Sequence, residues 1–240
     1  MDALVLGHKG MLGHMVVKYL TDKGYTITTC DCRFPSIEFE SYIKTYSGDY
    51  IINCIGAIPQ RTKDFSINYE LPIWLDMYAN CNVIHPGTDC EMDLDDYGMS
   101  KKSARDYIIE SGIRTKILKT SIIGPELNSN ASLMEWFLSQ TGEVYGYTKT
   151  MWNGNTTLEW AEQCHKLIQS WNSYKAETVL EGECVSKFDL LNKINLVFQK
   201  EILILEKDTK LHDKCLIGDI QTDNILDQLY KLKKYYYDAS

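Results

Sequence analysis

The most constraining feature of this chain lies in its first two dozen residues, where "ALVLG" runs directly into "GHKGMLG" and then into "MLGHMVVKYLTDKG". Ala3 to Gly7 is a short apolar run suited to a buried parallel strand. Leu12, Met15, Val16, Tyr19 and Leu20 then recur on one helical face, and Gly24 stops the helix. Gly7, Gly10 and Gly13 fall between the two elements. In that position the first glycine permits a tight turn, the second lets a pyrophosphate approach, and the third allows close helix packing. The helix N-terminus adds N–H donors and positive potential. A purely structural turn with incidental glycines is the plainer alternative.

The same alternation continues. "YTITTC" reads as a second strand, "SIEFESYIKTY" as a helix and "YIINCIGA" as a third strand. "FSINYELPIWLDMYANC" reads as a helix interrupted near Pro72, "NVIHPG" as a fourth strand, "DDYGMSKKSARDYIIESG" as a helix and "TKILKTSIIG" as a fifth strand. Short apolar strands alternating with helices predict an α/β fold, a Rossmann-type doubly wound parallel sheet. After Gly124 the pattern loosens. "SLMEWFLSQ", "TLEWAEQCHKLIQSW", "SKFDLLNKINLVF" and "TDNILDQLYKLKKYY" read as helices, and "ETVLEG" as a strand. The expected organisation is a cofactor-binding domain over residues 1–124 and a small C-terminal substrate-binding lobe over 125–240, with the strand near 177–181 returning to the sheet. The polar tail "KLKKYYYDAS" carries no readable function.

A net charge of −8 argues against general nucleic-acid or anionic-membrane binding, so phosphates would be held locally. No run approaches the roughly 20 apolar residues of a membrane span, and the start shows no signal-peptide layout. The eight cysteines are scattered, Cys30-x-Cys32 is too close for zinc, and the five histidines form no metal pattern. The expectations are a cytoplasmic protein with reduced thiols, no metal, no nucleic-acid partner and no membrane; a homodimer remains compatible.

The second strand ends in Asp31 and Arg33. An acid there binds a ribose diol and favours NADH, whereas an arginine accepts the 2′-phosphate of NADPH. Arg33 is one of four arginines in the chain, which tips the expectation to NADPH with NADH allowed; a solvated loop charge is the alternative. Tyr97 and Lys101, four apart, project from one helical face. A phenol near pKa 10 is a poor acid–base group at neutral pH, and a neighbouring ammonium is expected to pull its pKa down. Thr88 closes the fourth strand, at the sheet end where parallel folds bind ligands.

Glycine turn, Thr88, Tyr97 and Lys101 together form a short-chain dehydrogenase constellation. With "GHKGMLGHMV", "INCIGAIPQ", Asn68 in "SINYELP", "TDC", "YGMSKK", "KTSIIGPEL", "SLMEWFLSQ", "WNGNTTLEWA" and "SKFDLL", the chain resembles the dTDP-4-dehydrorhamnose reductase-like branch of the extended short-chain dehydrogenases. The likeness is strongest to enzymes of capsule and O-antigen synthesis that act on UDP-linked 4-keto-6-deoxy hexosamines. The resemblance implies an NAD(P)H-dependent 4-reductase of a UDP- or dTDP-linked 4-keto-6-deoxy sugar. It makes Thr88, Tyr97 and Lys101 catalytic and gives the cofactor to Gly7, Gly10, Met11, Leu12, Gly13, Asp31, Arg33, Ile55, Gly56, Ile122, Tyr97 and Lys101. It sets Trp152, Asn153 and Thr156 beside Thr88 and Tyr97 at the sugar nucleotide; Trp152 also suits a core aromatic.

Cys90 stands where GDP-fucose synthases carry an epimerising cysteine, which implies C3 epimerase activity. Such enzymes pair it with a His or Lys, and none occurs between Thr120 and Thr141; a small buried cysteine is the alternative. Thr88 and Tyr97 are nine positions apart, shorter than the resemblance leads one to expect. The rival readings are a catalytically weak or inactive NAD(P)-binding regulatory subunit, and a dehydratase or 4-epimerase that recycles its cofactor.

Overall fold

The computed structural model describes residues 1–238. In chain order its elements are β1 (Asp2–Leu6), α1 (Met11–Asp22), β2 (Thr26–Cys30), α2 (Ile37–Thr45), β3 (Tyr50–Asn53), α3 (Ile67–Tyr78), β4 (Asn82–Gly87), α4 (Asp96–Ser111) and β5 (Thr115–Lys119). There follow β6 (Ile122–Ile123), α5 (Leu133–Leu138), β7 (Glu143–Tyr147), β8 (Thr150–Trp152), β9 (Asn155–Thr156), α6 (Thr157–Gln169), β10 (Glu177–Glu181) and β11 (Val185–Ser186). The chain continues with α7 (Lys187–Phe198), β12 (Leu203–Lys207), β13 (His212–Asp213), β14 (Ile220–Gln221) and α8 (Ile225–Leu232).

Seven strands form one sheet in the order β14-β10-β5-β4-β3-β1-β2. β1 pairs parallel with β2 and β3, and β3 and β4 continue the ladder in the same direction. This is the doubly wound α/β fold. Its central strands read as unbroken apolar runs because helices cover both faces. Ala3 to Leu6, Ile51 and Ile52 are all inaccessible, and Leu4, Ile51 and Val83 share a core with Phe39 and Ile43 of α2 and Leu71 and Leu75 of α3.

Two compact units make up the chain. One comprises residues 1–119 and 161–178; the other comprises 120–160 and the chain from 179 onward. The second unit holds short ladders that no sequence periodicity announced: β8 between β11 and β13, β7 beside β12, and β6 beside β9.

Several local expectations are corrected. α3 is continuous, because Leu71 and Leu75 are wholly buried and that packing outweighs the helix-breaking tendency of Pro72. The third strand stops at Asn53, whose Oδ1 accepts the Ile55 N–H at 3.1 Å and turns the chain. The fifth stops at Lys119, and Ile122–Ile123 pairs instead with Asn155–Thr156. The thiols are not all reduced, since Cys184 and Cys215 form a disulfide; this pairing, across 31 residues of chain, has no local sequence signal. Ala239 and Ser240, at the end of the polar tail, lie outside the described residues.

Candidate active site

The turn after β1 is tight, and its glycines are required by the backbone. Gly7 has φ of 72°, the left-handed region that favours glycine, and its carbonyl accepts the Gly10 N–H at 2.9 Å. A β-carbon at Gly13 would lie 2.2 Å from the Gly7 oxygen, and one at Gly7 would lie 2.8 Å from the Cys54 backbone. α1 then opens at Met11 with no side-chain cap and no acid in its first turn, so its leading N–H groups and dipole favour an anion. Leu12 is buried beneath it, with Met11 half-buried.

At the end of β2, Asp31 is exposed and already paired. Lys9 Nζ lies 2.6 Å from its Oδ1 and His8 Nε2 3.7 Å away. The hydrogen bond from Lys9 holds this carboxyl below its ordinary pKa. Arg33 is exposed two residues on.

α4 carries the Tyr97–Lys101 pair. Asp95 caps the helix by accepting the Gly98 N–H at 2.7 Å, and Ser100 Oγ donates to the Tyr97 carbonyl. Asn68 of α3, to which the sequence reading gave no role, ties α4 to the loop after β3. Its Nδ2 donates to Ser100 Oγ and to the Ala57 carbonyl, and its Oδ1 accepts the Ala57 N–H. Gly56 is thereby brought close to the lysine: a β-carbon there would stand 3.2 Å from Lys101 Nζ. Ile55 is half-buried in the same loop.

The electrostatics reverse one expectation. Burial pushes the Tyr97 phenol well above its usual pKa, and the negative potential of Cys90, Asp89, Glu91 and Asp95 adds to the shift. The shift runs upward, against the lowering expected from a lysine one turn away. Lys101 itself, 8% exposed, is lowered by burial to about 8. Behind it His85 of β4 is fully enclosed, held well below its usual pKa by burial and by Lys101, and hydrogen-bonded through Nδ1 to Asn53 at 3.2 Å. His85 is therefore neutral, one charge fewer competing with Lys101.

Thr88 lies where β4 ends and starts a single tight turn, Asp89–Met92. Its hydroxyl donates to Asp89 Oδ1 at 3.0 Å and accepts the Cys90 N–H at 3.2 Å. Glu91 Oε1 accepts the Thr88 N–H at 3.1 Å, completing a capping box. Cys90 Sγ lies 3.6 Å from the same Asp89 oxygen. The first half of the stretch to Tyr97 is thus an ordered, reciprocally bonded turn.

The second unit treats its flagged residues differently. Trp152 is 2% exposed, with Lys187 Nζ 4.7 Å from its ring centre. The Asn153 amide donates to the Leu216 carbonyl and accepts the Leu216 N–H. Thr156 Oγ1 accepts the Glu159 N–H, and its own N–H donates to Gln228 Oε1. The polar atoms of Asn153 and Thr156 are therefore committed to the lobe's own fold. Ile122 of β6 is half-buried.

No family profile and no curated protein matches the sequence. Solved structures do share the fold. The chain is similar to a dTDP-4-dehydrorhamnose reductase from Bacillus anthracis in complex with NADP, with a TM-score of 0.79, 15% identity and coverage of 98% of this chain and 99% of that one. It is similar to a dTDP-4-dehydrorhamnose reductase from Clostridium acetobutylicum, with a TM-score of 0.75, 16% identity and coverage of 98% and 99%. UDP-glucose 4-epimerase from Thermotoga maritima has a TM-score of 0.72, 13% identity and coverage of 100% and 99%. Reductases and epimerases alike thus share this backbone, and identities this low establish the fold alone. Among the described residues no helix is long and apolar enough to cross a membrane.

Proposed function

We propose that this chain is an NAD(P)H-dependent 4-ketoreductase of a nucleotide-linked 4-keto-6-deoxy sugar or N-acetyl sugar, with a UDP-linked hexosamine as the first candidate. The observation that carries the reading is a buried Lys101 one helical turn from Tyr97 on α4, with the Gly56 loop tied against it by Asn68. The shared fold of a dTDP-4-dehydrorhamnose reductase complexed with NADP supports both substrate class and cofactor.

The residues present fit a dinucleotide, because the turn is too tight for β-carbons at Gly7 and Gly13 and leaves the α1 donors open. Gly7, Gly10, Met11, Leu12 and Gly13 would hold the pyrophosphate and Ile55 the adenosine side, with Gly56 close to Lys101. Asp31 is paired with Lys9 at the exposed surface. Lys9 and Arg33 then favour a 2′-phosphate, hence NADPH over NADH. When bound, the cofactor supplies the hydride that reduces C4 of the sugar.

Tyr97 protonates the oxygen left at C4. A phenol held above its ordinary pKa keeps its proton at neutral pH but is a weaker acid for it, so giving that proton up depends on positive charge nearby. Lys101 offsets the charge that Tyr97 acquires as it gives up that proton. Thr88 orients the ketone once its hydroxyl turns from Asp89. Trp152, Asn153 and Thr156 anchor the strands that shape the sugar-nucleotide side. Cys90 would act in epimerisation at C3 as a thiolate that removes a proton α to the ketone, and the stretch between Thr120 and Thr141 holds no His or Lys to return one to the opposite face.

The commitment of the Thr88 hydroxyl to Asp89 favours a second reading, a weakly active NAD(P)-binding regulatory subunit. NADPH and NADH absorbance decay on UDP-4-keto-6-deoxy-N-acetylhexosamine, and on dTDP and UDP-hexose counterparts, separates the two. The reductase consumes NADPH, and Tyr97→Phe lowers turnover about a thousandfold, within the range for a general acid, with cofactor affinity retained. Tight cofactor binding with no decay on any of these sugars sinks the reductase and leaves the regulatory subunit.

A further inference from the structure

Next to Thr88 lies a set of four charged side chains from four different segments, with Glu91 and Lys119 buried and Arg105 and Glu177 half-buried. Glu91 follows β4, Arg105 is on α4, Lys119 ends β5, and Glu177 begins β10. Glu91 Oε2 lies 2.6 Å from Lys119 Nζ and 3.7 Å from Arg105 Nε. Arg105 grips Glu177 through Nε and Nη2 at 2.8 and 2.9 Å, and Lys119 lies 3.7 Å from Glu177. Asp106 completes the surroundings by accepting from Arg105. Two of these groups would suffice as a stabilising pair. Glu91 does something more, because its other oxygen accepts the Thr88 N–H.

We propose that Glu91 is a positioning residue, whose bridge from the Thr88 backbone to Lys119 fixes Thr88, Asp89 and Cys90 against Tyr97 across the unusually short interval between them. As a statement about catalysis it rests on the reductase reading; as a statement about this turn it does not. A flexible tight turn would let Thr88 and Cys90 wander. Anchoring Glu91 to the end of β5 gives the turn a fixed point on the neighbouring sheet strand. Burial raises the Glu91 pKa, and the Lys119 ammonium opposes that rise. The charge of Glu91 also reaches the catalytic pair, acting to raise the pKa of both Tyr97 and Lys101.

The test compares Glu91→Ala and Glu91→Gln in the full chain with two readouts. The first needs no turnover: iodoacetamide labelling mapped to each free cysteine, with Cys54, Cys81 and Cys164 as internal controls for general loosening. Glu91→Ala is expected to label Cys90 about tenfold faster, the scale of one lost charge-assisted hydrogen bond, with the controls unchanged. Glu91→Gln keeps an acceptor for Thr88 and restores most of the protection. Unchanged Cys90 labelling, or equal acceleration at all cysteines, overturns the proposal. The second readout is the kinetic split on the keto sugar: Glu91→Ala lowers kcat about tenfold with the KM for NADPH unchanged. A rise in that KM with kcat intact also overturns it. If the wild-type chain turns over no keto sugar, the reductase reading fails while the labelling still judges Glu91.

Discussion

The polar residues that the sequence singles out fare differently in the two units. In the unit of β1 to β5, Asp31 is exposed, Thr88 and Tyr97 are half-buried and Lys101 is buried. In the other unit, Asn153, Asn155 and Thr156 look just as suggestive in sequence yet are closed into the fold. Asn155 Oδ1 accepts from Thr222 Oγ1 at 2.5 Å and Gln228 Nε2 at 2.8 Å, while its Nδ2 donates to Thr120. A strand two residues long, such as β9, cannot be held by backbone pairing alone, so side-chain amides do the joining. An asparagine beside a motif is therefore as consistent with lobe architecture as with ligand binding.

The contrast can be broken most severely at the glycine turn. Gly13→Val drives side-chain atoms into the Gly7 carbonyl, and NADPH affinity measured by fluorescence titration is expected to fall at least about a hundredfold, as a misplaced pyrophosphate loses several N–H donors. Retained affinity would mean that the turn is architectural. Asn155→Ala probes the other side. It orphans buried partners on three segments and is expected to cost about 3 kcal/mol in urea unfolding, with NADPH affinity unchanged. Lost cofactor affinity in a folded Asn155→Ala protein would erase the distinction between the units.

Lys101 offers a pH-dependent version of the test. Its folded pKa of about 8 lies below the 10.5 of the unfolded chain. Between those values the unfolded state holds the extra proton, so stability rises with pH across that window and the burial penalty is fully present below it. Lys101→Met is therefore expected to be more stable than wild type at pH 7, by at most about 3 kcal/mol, with the gap closing from about pH 8 to 10.5. A pH-independent gap would place Lys101 in a wetter site than its burial implies. The smallest effect is at Lys9: Lys9→Met frees Asp31 and should shift the NADPH-to-NADH affinity ratio about tenfold towards NADH, one charge-assisted contact's worth. An unmoved ratio would assign selectivity to Arg33 alone.

Local pattern alone determined the parallel α/β class, the tight glycine turn, and the placing of Tyr97 and Lys101 on one face of α4. Each depends on neighbours within a turn or a strand, where spacing maps directly onto geometry. The tertiary structure decided what happens when distant segments meet. Glu91 and Lys119, 28 residues apart, become a bridge next to Thr88. Cys184 and Cys215 become a disulfide, and the two- and three-residue strands of the second unit find partners that no periodicity announces. Even the direction of the Tyr97 shift was settled there. A lysine four residues away suggests a lowered pKa, but desolvation and the acidic residues gathered from the turn after β4 raise it. Burial and long-range charge depend on which surfaces the folded chain brings together, and a one-dimensional pattern does not record that.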